Sequence, residues 1–205
     1  MRIQRVNTYR DSRFTQTVLN QHGCFLIEGV PCEIEIISEY EAVIKGAETS
    51  AYPAVIDEFR FYTPHITRFY DEHHGVVREF PRPQLLKIKL EKIQPSQFYV
   101  DEAKIAAVSG FITKAEEIII QVLPDGDRYI SLDGHTRLYY AAARGWDSVR
   151  AVVEPSDAEV YGFVEEAKRR NIRTPNDLIL VSHDEYEEKW NRFCDGFFAK
   201  SKGKR

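Results

Sequence analysis

The stretch YISLDGHTRLYYAAARGW, residues 129–146, decides how the chain is read. Tyr129-Ile130-Ser131-Leu132 alternates apolar and polar side chains and predicts a strand. Leu138 to Arg144 is small and helix-favouring, and Gly145 suits the left-handed position just past a helix end. Asp133-Gly134-His135-Thr136-Arg137 therefore falls where a strand turns into a helix. The first N–H groups of a helix have no intrahelical partner and its dipole is positive there, so the junction attracts anions. His135 and Arg137 add donors, and a guanidinium grips a phosphate with two N–H groups at once. Asp133 could hold a Mg²⁺ ion or fix the tautomer of the histidine. The plainer alternative is a polar turn in which Asp133 or Thr136 caps the helix.

Outward from this stretch, the pattern stays regular. Glu117 to Leu123, EIIIQVL, reads as a buried strand, turned by Pro124-Asp125-Gly126-Asp127 into the strand that enters the motif. Ala141-Ala142-Ala143 lets the helix lie close to a sheet, and Ser148 to Val153 reads as the next strand. Upstream, Leu85 to Ile93, LLKIKLEKI, alternates and predicts one strand, followed by an irregular connector, Gln94-Pro95-Ser96-Gln97-Phe98. Asp101 is placed to cap a helix whose apolar positions are Ile105, Val108, Phe111 and Ile112. Residues 84–155 form a domain on this reading. Pro81-Arg82-Pro83 is the clearest boundary, because neighbouring prolines stop both helix and ladder pairing.

Residues 1–80 read as a small α+β unit. It has a short helix over 13–21, a hairpin of Cys24–Ile27 and Glu33–Ile37 turned at Glu28–Pro31, and a strand at Glu41–Lys45. A helix from Tyr52 to Phe61 and a second hairpin, Ile66–Tyr70 with Val76–Phe80, complete it. Residues 156–205 read as a helical extension. Ser156 or Asp157 would cap a helix running to Arg170, with Val160, Phe163, Val164 and Ala167 inward. Ser182-His183-Asp184-Glu185 is a capping box opening a helix to about Phe198. Its stripe of Tyr186, Trp190, Phe193 and Phe197 reads as core packing, and Lys200–Arg205 as a solvated end. The whole is α+β. The box accounts for His183 without catalysis, although a distant histidine could close over a site. His73-His74 falls in a hairpin turn and reads as a solvated pair, and His22 with Cys24 is too short a constellation for zinc.

Composition sets the outer limits. A chain of 205 residues allows one large domain or two small ones, and 43% hydrophobic residues suffice for a core. A net charge of −4 argues against a protein whose main business is neutralising a nucleic-acid backbone. Cys24, Cys32 and Cys194 are too few and scattered for a disulfide framework or a zinc pair, and read as reduced thiols. The N-terminal residues are charged throughout, without the apolar core of a signal peptide, and no apolar run approaches the roughly 20 residues that span a bilayer. The expected location is the cytoplasm, with no membrane contact.

Strand, connector, helix, strand, hairpin and DGHTR, in this order, make residues 85–153 resemble the ParB/sulfiredoxin superfamily. The resemblance rests on Lys92–Phe98 (KIQPSQF), the strand pair around PDGDRYISLDG, and Asp133–Val153. It implies a nucleotide or phosphate held at Gly134, His135, Thr136 and Arg137. Sulfiredoxins carry a catalytic cysteine at the equivalent turn, which is absent here. Chromosome-partitioning ParB proteins add a helix-turn-helix DNA reader, and residues 156–199 show no obvious recognition helix. The motif is most similar to the free-serine kinases of the superfamily. That likeness implies Mg²⁺ with ADP or ATP and phosphoryl transfer to a small hydroxyl compound such as free serine. Their connector aligns with Ile93–Gln97, placing Ser96 and Gln97 at the substrate. The glutamate that takes the serine proton in those kinases corresponds to Gln97, which cannot act as a base. Asp101 or Glu102 would have to replace it, with His135 donating to the transferring group and Asp133 binding the metal or orienting His135. A non-catalytic nucleotide-sensing module and a ParB-like DNA-binding protein are the rival readings.

Overall fold

The computed structural model describes residues 1–202. Its contacts divide the chain into two compact units, Met1–Gln84 and from Leu85 onward. The class is α+β, as the sequence indicates.

The first unit contains strands β1 (Ile3–Arg5), β2 (Cys24–Ile27), β3 (Val30–Ile36), β4 (Glu41–Gly46), β5 (Arg68–Tyr70) and β6 (Val76–Glu79), with helices α1 (Gln16–Asn20) and α2 (Tyr52–Tyr62). The six strands lie side by side in chain order. Neighbours are antiparallel except β4 and β5, which are parallel. Parallel neighbours cannot be joined by a tight turn, and α2 supplies the crossover. Between β2 and β3, Glu28 (φ 50) and Gly29 (φ 88) are both left-handed, the two-residue turn that suits strand twist. The turn is therefore shorter than the sequence suggested, and Val30 and Pro31 pair with Ile27 and Leu26. Val55, Ile56 and Phe59 of α2 bury against Phe25, Ile34, Ile44 and Phe69 of the sheet. Strand β1, three residues long, escaped the sequence reading.

The second unit opens with β7 (Leu86–Lys89), a 3-10 turn at Leu90–Lys92, and β8 (Ile93–Pro95). Residues 85–93 are thus not one strand. Leu86, Ile88 and Leu90 alternate, but Ile93 stands three positions past Leu90, a spacing that one 3-10 turn brings to the same side. Both side chains are buried, and β7 and β8 end at opposite edges of the sheet. Then follow β9 (Tyr99–Asp101), α3 (Glu102–Ser109), β10 (Ile119–Asp125), β11 (Arg128–Ser131), α4 (His135–Ala143) and β12 (Ser148–Val153). The sheet order is β7-β12-β10-β11-β8. β10 and β12 are parallel, with α4 in the connection between them, and β11 is parallel to β8. Ala141 is fully buried beside Ile120, Val149 and Ala151, as a helix lying close on a sheet requires. Phe111 is exposed instead of inward, because α3 stops at Ser109 and the helical phase is lost.

The remaining elements are α5 (Glu159–Arg169), β13 (Ile179–Val181), α6 (His183–Tyr186) and α7 (Arg192–Lys202), the last two joined by a π turn at Glu187–Asn191. The residue before α5 is Ala158 and no side chain caps it, so neither Ser156 nor Asp157 does. The Ser182–Glu185 box forms as read. β13 lies parallel to β9, with Val181 opposite Asp101, so α3 and α6 start side by side. Helix α7 runs through Lys202, past the start of the expected solvated end, whose residues 203–205 lie outside those described. No helix among the described residues is long and apolar enough to cross a membrane.

Phe98 joins these parts. Its ring is fully buried, with centroids 4.9 Å from Trp190 and 5.0 Å from Tyr99 and Phe193. Phe98→Ala is expected to cost the second unit about 3–5 kcal/mol. Both tryptophans, Trp146 and Trp190, belong to this unit, so a lowered urea midpoint followed by tryptophan fluorescence reads the loss directly.

Candidate functional site

The turn after β11 is built around Gly134, whose φ of 81° is left-handed. A Cβ there would sit 2.6 Å from Cγ2 of Ile120 and 3.1 Å from a terminal nitrogen of Arg137. Glycine is therefore required twice over, for the backbone angle and for the close approach. Gly134 is also the N-cap of α4, and no side chain caps that helix. The capping roles expected of Asp133 or Thr136 are not taken up. Helices α3 and α6, by contrast, are closed by Asp101 and Ser182.

Arg137 is held by its own protein. Nη1 donates to the carbonyl of Ile119 at 2.6 Å and Nη2 to Oδ2 of Asp133 at 3.2 Å. Two of its five N–H groups are so occupied. Asp133 is about half exposed. Among the described residues no three or more His, Cys, Asp or Glu side chains gather to hold a metal. The donor set around Asp133 fits only a Mg²⁺ ion that brings most of its oxygen ligands from phosphates and water.

His135 is buried and lies against the connector. Its Nε2 is 3.3 Å from the backbone N–H of Ser96, 3.3 Å from Ser96 Oγ and 3.0 Å from Ser131 Oγ. A backbone N–H can only donate, so Nε2 accepts and the ring proton sits on Nδ1. Ser96 Oγ donates to the Ser131 carbonyl at 2.7 Å. Burial pushes the ring's pKa down to about 4, with Asp133 opposing and Arg137 adding to the shift. Nε2 is thus engaged in holding two chain segments together, and the one proton of the neutral ring, on Nδ1, is the donor His135 retains.

The remaining expected residues spread around the start of α3. Gln97 does not face the turn: its amide donates to the Tyr99 carbonyl and, at 3.4 Å, to the Tyr186 hydroxyl. Asp101 is buried. Its Oδ1 accepts the Ala103 N–H at 2.9 Å, and its Oδ2 lies 2.8 Å from Nδ1 of His183. With both oxygens engaged, Asp101 is not placed to take a proton from a ligand itself. Glu102 is exposed in the first turn of α3, and Thr136 is half-buried.

Two further residues join this group, Lys104, which the sequence does not single out, and His183. Lys104 is half-buried, with Nζ 4.3 Å from the centre of the Tyr186 ring. Burial lowers its pKa, while Asp101, Glu187 and Asp133 pull it back up. Its amine thus lies within electrostatic reach of both the α3 start and the DGHTR turn. The readable signal was its place three residues after the capping Asp101, on the same side of the helix. For His183 the sequence offers a cap and the chance that it closes over a distant site, but nothing local ties it to Asp101, 82 positions earlier.

No family model and no curated protein matches the chain. Among solved structures, protein Atu1540 from Agrobacterium tumefaciens is similar over 47% of this chain, with 19% identity and a TM-score of 0.35. The likeness spans 62% of that protein's length.

The buried ring makes stability depend on pH in a definite direction. The unfolded histidine titrates near its ordinary value of 6.5 and the folded one at about 4. Between those values the unfolded chain binds a proton that the folded chain refuses. The contribution is whole above pH 6.5 and is lost as the pH falls toward 4. Urea midpoints at pH 7 and pH 5 should therefore drop more for the wild type than for His135→Gln; equal drops would place the pH dependence elsewhere.

Proposed function

We propose that the second unit binds a phosphate-bearing ligand, a nucleotide such as ADP or ATP, at the start of α4, and passes its terminal phosphoryl group to a small hydroxyl compound such as free serine. The observation that carries this reading is the uncapped, left-handed start of α4 beside Arg137, with the half-buried Lys104 within electrostatic reach of Asp133. Oriented N–H groups and nearby cations are what anion binding at a helix start needs, and positioned charge supplies most of phosphoryl-transfer catalysis. The resemblance of residues 85–153 to the ParB/sulfiredoxin superfamily, carried in part by the same turn, points the same way.

On this reading the N–H groups of His135, Thr136 and Arg137 receive phosphate oxygens, and Lys104 neutralises the charge that gathers there. Asp133 would hold a Mg²⁺ ion shared with the phosphates; when bound, that ion offsets their negative charge. His135 keeps the turn and the Ser96 connector in register. The non-catalytic sensing alternative draws on one observation, the turning of Gln97 toward Tyr99 and Tyr186. The DNA-binding alternative has less support: Phe163 of α5 is packed on Trp190, Phe193 and Phe197, and the net charge is −4.

Calorimetric titration with inorganic phosphate, Mg-ADP and Mg-ATP tests the binding. Lys104→Met keeps the apolar stem and removes the charge, and should weaken nucleotide binding about tenfold or more, since a hydrogen bond to a charged group is worth about 1.5–3 kcal/mol. No binding by the wild type at millimolar ligand, or equal affinities for wild type and variant, would defeat the site assignment.

A further inference from the structure

The Asp101 carboxylate is buried to 1% exposure and serves two partners. Capping α3 uses Oδ1, as an N-cap aspartate does. The second oxygen goes to Nδ1 of His183, and capping gives no reason for that bond. The start of α6 is already closed by Ser182 and Glu185, so it does not need the histidine. The His183 side chain is 62% exposed. A buried carboxylate on Nδ1 fixes the ring's tautomer and orientation and leaves Nε2 on the solvent side. That is the arrangement in which an imidazole takes a proton from a hydroxyl.

We propose that His183 is the catalytic residue that accepts the hydroxyl proton of the phosphoryl acceptor, with Asp101 as its positioning residue. The inference rests on the proposed function above and supplies the base that Gln97 cannot provide. Lys104 connects the pair with the turn, being within electrostatic reach of Asp101 on one side and Asp133 on the other. In the step, the acceptor oxygen forms a bond to the terminal phosphorus as the bridging P–O bond breaks. The electron pair leaves with the shortened nucleotide, and the hydroxyl proton passes to Nε2 of His183 and then to water. The charged groups that act on His183 are Asp101 from the start of α3 and Asp184 and Glu187 from its own helical run. All are negative and hold its pKa above the ordinary imidazole range, the Asp101 hydrogen bond most strongly. Lys104 lies near Asp101 and Glu187.

The test uses the full chain with Mg-ADP or Mg-ATP as donor and L-serine and other small hydroxyl compounds as acceptors. His183→Gln should bind nucleotide within about twofold of wild type but lose on the order of 10²-fold or more in kcat. The acid limb of the wild-type kcat/KM profile should track the His183 ring proton followed by NMR. Asp101→Asn, which still caps α3, should move both to lower pH, because it removes the negative charge that favours the imidazolium. Wild type that binds nucleotide while His183→Gln turns over equally fast, or while no acceptor is phosphorylated at all, overturns the pair as a base and leaves ligand binding standing. A wild type that binds no phosphate ligand overturns the proposed function first and the base with it.

Discussion

The backbone N–H of Ser96 donates to Nε2 of His135, and the arrangement of the second unit's candidate site follows from that bond. It requires an imidazole without a proton on Nε2, and burial provides one by making the charged form costly. The ring then links the end of β8 to the first residue of α4, on strands already paired in parallel. Protonation would put two donors face to face in a site closed to water. The position of the turn and the charge state of one ring are therefore a single constraint.

The same economy of partners sorts the three helix starts that gather here. α3 and α6 are closed by side chains, and their first N–H groups are partly satisfied within the fold. α4 starts from a glycine, which has no side chain to offer. That glycine could not be exchanged for a capping residue cheaply, because a Cβ at position 134 would run into Ile120 and the φ angle would be strained. Of these three starts, the fold keeps that of α4 open and fills the other two. Two cations near the open start, Arg137 and Lys104, are each restrained, one by hydrogen bonds and the other by burial and the Tyr186 ring. Restrained cations lose little further freedom on meeting an anion, which favours binding.

What was legible in the sequence was local. The Asp101 cap, the Ser182–Glu185 box, the β10–β11 hairpin and the glycine of the turn each express themselves within four or five residues. The break in LLKIKLEKI was legible too, in the three-residue step from Leu90 to Ile93, but alternation elsewhere in the run masked it. Strand order was not legible, because β7 and β8 are neighbours in sequence and opposite edges in the sheet. The site suffered from the same limit. Ser96 with His135, Lys104 with Tyr186 and Asp101 with His183 are pairs made by tertiary structure. A histidine inside a capping box looks explained until its partner is known.

Under the proposed function, Gln97 leaves the connector without a base for the acceptor's proton. A glutamine cannot accept a proton, and here its amide is turned toward Tyr99 and Tyr186, so this side chain supplies no base. The proposed transfer then needs a base from elsewhere in the unit. Asp101 cannot fill the gap directly, since both of its oxygens are bound, yet those bonds place a solvent-facing imidazole on the helix that starts alongside α3. A carboxylate acting through a histidine is a stronger acceptor near neutral pH than a carboxylate alone, because the imidazole titrates close to the working range. The parallel pairing of β9 with β13 is what brings the two residues together, so the proposed base, unlike the proposed anion site, depends on the C-terminal segment.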